Sequence, residues 1–357
     1  VVGELARQGR SVLHATGSQA FTQTLRKVAG HRSTRTKALF KYFNQFMDAV
    51  PNDLDVLVLD EAHRIRETSV DRWTPKRVRE SVPDRPQVDE LLEAARVPVF
   101  LLDEHQVVRP GESGTVALID ERAKRLGIQV QHVDLNAQFR AGGSEKYIEW
   151  VLSLLGLSAT DGVHAAVSHD PPMPWEGDDR YSLVVAETPE AMEALLLSKM
   201  ADGDSARMTA GYCWPWSDPT PEGQLVPDVR IGSWERPWNL RSERRVGDAP
   251  PSHLWATEPG GFGQVGCVYT AQGFEYDWNG LIIGPDLVWR TDRWVAQRTE
   301  SKDPAFRSLK AVGAEEFDQL LRNVYKVLLT RGMKGTVLYS TDAETRGMLD
   351  RTARLVL

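Results

Sequence analysis

The run Asp55–Asp60 (DVLVLD) constrains this 357-residue chain more than any other segment. Between its two acids every residue is apolar. A strand with one wet face alternates apolar and polar residues; a run apolar throughout is buried on both faces, as in parallel sheets covered by helices. Val97–Asp103 (VPVFLLD) repeats the pattern, and Ser11–Thr16 (SVLHAT) and Ile128–Asp134 also read as strands. Gly17–Ala29 and Gln87–Arg96 carry helical spacing. Strands separated by helices of about ten residues make βαβ units, so the expected class is α/β with parallel sheets.

Residues 157–180 interrupt this alternation with Gly, Asp and Pro (DPPMPWEGDD), which places a linker there between a first domain over 1–156 and a second over 181–357. In the second, Tyr181–Ala186 and Ala206–Tyr212 read as strands around a helix at Thr188–Met200. An irregular insertion rich in Trp, Pro and Arg covers about 213–262. Strand-like segments return at 265–269, 280–284 and 335–340, with a helix over 314–329.

With 41% hydrophobic and 26% charged residues the chain has the composition of an ordinary folded protein, and global disorder is excluded. No apolar run reaches the roughly 20 residues of a membrane helix, and no secretory pattern opens the chain, so the expectation is a cytoplasmic protein without a membrane partner. Two cysteines, Cys213 and Cys267, cannot make a disulfide framework. The net charge of −7 argues against a protein coated in positive charge; it leaves room for a local basic groove that binds nucleic acid.

In open α/β sheets ligands bind beyond the carboxyl ends of strands. The run DVLVLD ends in Asp60 and continues Glu61-Ala62-His63. A strand-terminal Asp can hold Mg²⁺ and the following Glu can orient or deprotonate an attacking water. The competing reading is a pair of acids capping the next helix. Gln106 follows the strand ending in Asp103 and could sense a phosphate or its attacking water. Arg140, after the 128–134 segment, could pair with acids or with phosphate. Gln272 and Gly273 read as a turn opening a helix, where backbone N–H groups favour anions, and Glu275 could accept ribose hydroxyls. Arg331 ends an apolar helix, where a cation also satisfies the helix dipole.

Taken in order, LDEAHR, LLDEHQVVRPGE, LNAQFRAGGSEKY, YTAQGFEYDWNGLIIGPDL and NVYKVLLTRGMKGTVLYS resemble the motif series of superfamily 1 helicases. More closely the chain, over about residues 1–345, is similar to the Schlafen group 3-like DNA/RNA helicase domain. That resemblance implies two RecA-like domains with ATP between them and a motor that acts on nucleic acid, single-stranded or duplex, DNA ahead of RNA. It implies Asp60 for Mg²⁺, Glu61 for water activation, and Gln106 to couple the γ-phosphate to the nucleic-acid site. Arg140 and Arg331 would be arginine fingers, and Gln272, Gly273 and Glu275 nucleotide contacts. HATGSQAF, residues 14–21, would lie at the single-strand contact.

The series departs from the family at one place. A phosphate loop needs Gly-x-x-x-x-Gly-Lys-Ser/Thr, and no Gly-Lys dipeptide occurs in the 357 residues. VVGELARQGR reads as the helix that would follow such a loop. The expectation is a first domain cut before or within that region, lacking its first strand and loop, with impaired ATP binding. The rival reading is a non-hydrolysing nucleic-acid-binding or regulatory module. Candidate basic segments are His31–Lys41, Arg72–Arg79 and Arg236–Arg245. The tryptophans at 214, 216, 234, 238 and 255 suit either base stacking or packing of the insertion, and packing is the simpler expectation.

Overall fold

The computed structural model describes residues 1–31, 33–70, 74–81, 85–133, 140–157, 167–307 and 312–353. It divides into two compact units, residues 1–134 and 135–357. The first unit runs α1 (Val2–Arg7), β1 (Val12–Thr16), α2 (Gln19–Val28), α3 (Thr34–Ala38), β2 (Phe40–Tyr42), β3 (Leu54–Asp60), α4 (Lys76–Ser81), α5 (Gln87–Glu93), β4 (Ala95–Phe100) and α6 (Val116–Arg125). Its strands form one parallel sheet in the order β2-β1-β3-β4. Leu57 and Leu59 alternate onto the face that packs with Leu91 of α5 and Ile119 of α6, and both leucines are fully buried. The DVLVLD run is thus a central strand, as its unbroken apolar character requires.

Two strand readings shift. β4 begins at Ala95, two residues before the expected start, and residues 101–103 lie beyond its end. Residues 128–133 form no strand: they pair with no strand among the described residues, and Val130 and Val133 are exposed. Asp134, the last residue of that expected strand, lies outside the described residues.

The second unit runs α7 (Glu145–Leu155), β5 (Ser182–Val185), α8 (Pro189–Ala201), β6 (Ala206–Ala210), β7 (Val229–Ile231), β8 (Trp234–Arg236), β9 (Val265–Gly266), α9 (Val268–Ala271), β10 (Tyr276–Ile283), β11 (Leu287–Arg290), β12 (Arg293–Ala296), α10 (Ala314–Leu329), β13 (Gly332–Ser340) and α11 (Ala343–Ala353). A five-stranded parallel sheet has the order β5-β13-β10-β6-β9. The expected strand over 265–269 is therefore two residues of strand followed by the short helix α9. In the insertion, β7 and β8 make an antiparallel hairpin. It is tied to α8 through Glu193, whose carboxylate accepts from Arg236 and from Trp234 Nε1 at 2.8 Å. Trp234, Trp238 and Trp255 are buried, so these three pack the insertion onto the sheet.

The division between units falls at 134/135, well before the 157–180 segment expected to link them. The reason is aromatic packing. Ser144 caps α7 by accepting from Tyr147 N, and Gly156 stops it in a left-handed conformation. Within α7, Tyr147 stacks on Tyr181 and Trp150 meets Trp175. Tyr147 OH donates to Leu329 O of α10 at 3.0 Å, and Trp294 Nε1 donates to Leu154 O at 2.6 Å. Trp175, in the middle of the Pro-rich stretch, is buried, and its backbone N–H donates to Thr352 O. Removing one buried neutral hydrogen bond costs about 1 kcal/mol. Tyr147→Phe should therefore lower the denaturation midpoint of the second unit while leaving the first unchanged; an unaltered midpoint would detach α7 from α10.

Candidate functional site

Because β1, β3 and β4 run parallel, their carboxyl ends share one edge of the first sheet: Thr16 lies across from Asp60, and Leu59 from Phe100. The segments that leave this edge are Gly17–Ser18 into α2, Glu61–Arg64, and Asp103–Gln106. Ser18 caps α2 by accepting from Phe21 N, and its own N–H donates to Thr16 Oγ1 at 2.9 Å.

Asp60 keeps a partly exposed carboxylate, with 31% of its side-chain surface open. One oxygen accepts from Glu61 N at 2.9 Å and the other lies 3.4 Å from His14 Nε2 on the neighbouring strand. Glu61 has φ 52° and ψ 45°, the left-handed region. That conformation costs a non-glycine residue about 1–2 kcal/mol. The surroundings over-determine it: Ala62 N donates to Leu101 O and Arg64 N to Glu61 O, each at 2.9 Å. The Glu61 carboxylate turns to Arg64, with Nε 3.0 Å from Oε2 and both side chains nearly buried. Glu61 precedes a single helical turn, Ala62–Arg64, without capping it through its side chain. Gly114 lies against this corner so closely that a Cβ there would overlap the Ala62 carbonyl oxygen.

Gln106 is 6% exposed, and its Nε2 donates to Asp103 Oδ2 at 3.1 Å, so the amide is held by the acid that begins the same segment. Among the described residues no group of three or more His, Cys, Asp or Glu forms a metal cage. A single open carboxylate fits Mg²⁺, which keeps several waters and takes further ligands from phosphates rather than from an all-protein site.

In the second unit the expected residues gather at the opposite kind of edge, the amino ends of β10 and β13, where Tyr276 lies across from Gly332. Gln272 and Gly273 do not open a helix. They close α9: Gln272 N donates to Val268 O, Phe274 N to Ala271 O, and Gly273 takes φ 92°, the left-handed stop that favours glycine. The anion-binding argument from a helix N-terminus therefore does not apply here. The chain enters a strand instead, because Tyr276–Ile283 carries the aromatic and β-branched residues of one. Gln272 is buried, while Gly273 and Glu275 are exposed.

Arg331 is 2% exposed and lies two residues beyond the last residue of α10, just after its cap Thr330. Its Nε donates to Val327 O at 2.8 Å, its Nη1 to Phe274 O at 3.3 Å, and Nη2 lies 3.4 Å from Thr330 Oγ1. The guanidinium thus satisfies the helix end and ties it to the turn that carries Gln272–Phe274. Burial pushes the Tyr276 phenol up, and the Arg331 and Arg207 guanidiniums pull it part of the way back. The backbone of Arg140 is described and its side chain is not. Residues 140–143 pack on β13, with Ala141 left-handed at φ 49°, so this stretch belongs to the second unit. Gln138 lies outside the described residues.

A profile of the Schlafen group 3 DNA/RNA helicase domain matches residues 1–342. The chain belongs to that family. It is also similar to an uncharacterized protein of Saccharomyces cerevisiae, 24% identical over 317 residues, 84% of this chain and 65% of the relative. The chain therefore spans just under two thirds of that relative's length. Among solved structures it is similar to the arterivirus nonstructural protein 10 helicase, with TM-score 0.33 and 10% identity, over 95% of this chain and 62% of that one. A second is the C-terminal domain of a possible DNA helicase from Lactobacillus plantarum WCFS1, with TM-score 0.24 and 12% identity, over 61% of this chain and 96% of that one.

Within this Schlafen group 3 domain two neighbours of the expected acids went unread in the sequence. Arg64 carried a signal, since it stands three residues after Glu61 with opposite charge. His14 carried none, because only strand pairing brings it beside Asp60. The corner these residues form yields a direct check. Gly114→Ala should destabilise the first unit by about 1–3 kcal/mol, the range of overpacked interiors. A chemical-denaturation curve that does not move would show that the corner is loose.

Proposed function

We propose that this helicase-family domain serves a nucleic-acid-dependent ATPase, with Mg²⁺ and DNA ahead of RNA as partner. The observation that carries the reading is the left-handed corner at Glu61 beside the open carboxylate of Asp60, at the edge of a parallel sheet where ligands bind. Asp60 would hold Mg²⁺ beside the phosphates of ATP, and the ion would supply charge neutralisation there. Glu61 would take a proton from the attacking water, with Arg64 holding its carboxylate in place. Gln106, braced by Asp103, would sense the γ-phosphate. In the second unit Arg331 and Arg140 would stabilise charge on the transferred phosphoryl group. For Arg331 this requires exchange of its carbonyl partners for phosphate oxygens. Gln272, Gly273 and Glu275 would contact nucleotide, and the Arg331–Phe274 bond would pass a change at α10 to that turn.

One observation favours the second reading, a non-hydrolysing nucleic-acid-binding module: the absence of any Gly-Lys dipeptide in the 357 residues. ATP turnover is therefore proposed for the protein that combines these residues with a phosphate loop. The test is ATPase activity of the protein carrying this domain, with and without single-stranded DNA or RNA. Stimulation by a strand is expected, and Glu61→Gln should retain ATP binding while lowering turnover about 10²–10⁴-fold. Strand binding with no turnover favours the second reading, and turnover indifferent to Glu61→Gln removes Glu61 from water activation.

A further inference from the structure

The three basic segments of the sequence differ in what surrounds their cations. In 236–245, Arg236 is held by Glu193 and Arg245 by Glu258. In α4, Lys76 pairs with Glu80 at 3.6 Å. The segment around α3 has no acid to draw on. Between Glu4 and Asp48 the sequence carries eight Lys and Arg residues and no Asp or Glu, in a chain whose net charge is −7. Charge of one sign is thus concentrated in one stretch, against the trend of the whole chain.

The fold gathers part of that charge at one corner of the first unit. The last turn of α2 carries Arg26 and Lys27, and α3, packed against α2, carries Arg35 and Lys37. Gly30 makes the approach possible: a Cβ there would overlap both the Arg26 carbonyl oxygen and Lys37 Cγ. Arg26 is committed to the fold, since its Nη2 and Nε donate to Phe40 O at 2.6 and 3.1 Å and its guanidinium covers the Tyr42 ring. Lys27, Arg35 and Lys37 are exposed and form no ion pair among the described residues. A cation at a helix end satisfies the helix dipole, which accounts for Lys27. It does not account for a second helix that brings two more like charges beside it. Cations held close together repel one another until an anion comes between them.

We infer that this corner holds the phosphate backbone of a single strand through Lys27, Arg35 and Lys37. The inference rests on the nucleic-acid partner proposed above and gives that partner a contact outside the helicase motif residues. The chemistry selects phosphate rather than a base. Tyr42, the aromatic ring beside the corner, is covered by Arg26, so charge is on offer and a stacking platform is not. Contacts of this kind position a strand without reading its sequence. The corner is also connected to the candidate site. α2 begins just after Ser18, at the sheet edge that carries Asp60, and its ten residues span about 15 Å, which lets one strand touch both ends.

The test is fluorescence anisotropy of the protein carrying this domain, with labelled oligo-dT and with an abasic strand of equal length, across a salt series. Each phosphate contact to a single strand contributes about −0.7 to the slope of log affinity against log salt. Arg35→Gln combined with Lys37→Gln removes two charges at exposed positions and keeps the stem that packs on Gly30, with folding checked by thermal melt. This pair should flatten the slope by about 1.4 and weaken binding about tenfold or more at low salt, on both strands alike. Lys124→Gln combined with Arg125→Gln on α6 removes the same charge elsewhere in the first unit and should leave the slope unchanged. If the α3 pair binds like wild type, or the α6 pair flattens the slope as much, the corner is not a strand contact and the wider nucleic-acid reading stands. A loss confined to oligo-dT overturns the assignment to phosphate. If wild type binds neither strand, both readings fall.

Discussion

The hydrogen bond from Ala62 N–H to the Leu101 carbonyl holds the first unit's site together. It joins the end of β3 to the chain leaving β4, and so fixes the corner at which Glu61 turns left-handed. Without it Glu61 would relax to an ordinary conformation and swing its carboxylate away from Arg64. With it, an acid that closes a buried strand is aimed by the sheet itself. Gly114 and the Asp60 carboxylate, which accepts from Glu61 N, brace the same corner from other sides. Several independent contacts therefore sustain one strained residue, as expected where strain is kept for function.

The parts visible in the sequence were those set by local pattern. DVLVLD is a central parallel strand because nothing polar interrupts it, and 314–329 is a helix because its apolar residues recur at helical spacing. The segment 128–133 failed because periodicity cannot tell whether a partner strand lies alongside. The turn at Gln272 was misread because a glycine can open or close a helix, and only the strand after it decides. The division at 134/135 depended on Tyr147, Trp150, Trp175 and Trp294, whose contacts are remote in sequence. Asp60 and Glu61 stood out by residue type, whereas the left-handed backbone and the His14 neighbour arise only once strands pair.

The two units present their polar residues differently. In the first they leave the carboxyl edge of a parallel sheet, the ordinary place for a ligand. In the second they stand at the amino ends of β10 and β13, where Arg331 binds the end of α10 to the turn before β10. Membership of the Schlafen group 3 helicase domain gives these two groups a common context. The geometry adds that Arg331 is a structural joint: its guanidinium bonds both the end of α10 and the turn before β10, so the two move together.

The backbone at Glu61 aims the acid of the first unit, and a pair of substitutions isolates it. Glu61→Ala and Glu61→Gly remove the same carboxylate and leave Arg64 equally without it, so their difference reports the backbone alone. In a left-handed corner glycine carries no Cβ penalty, and the Gly variant should be more stable than the Ala variant by about 1 kcal/mol in equilibrium unfolding. In an ordinary conformation the order reverses, because glycine loses more freedom on folding. An Ala variant at least as stable as the Gly variant would contradict the corner and the aim it gives to Glu61.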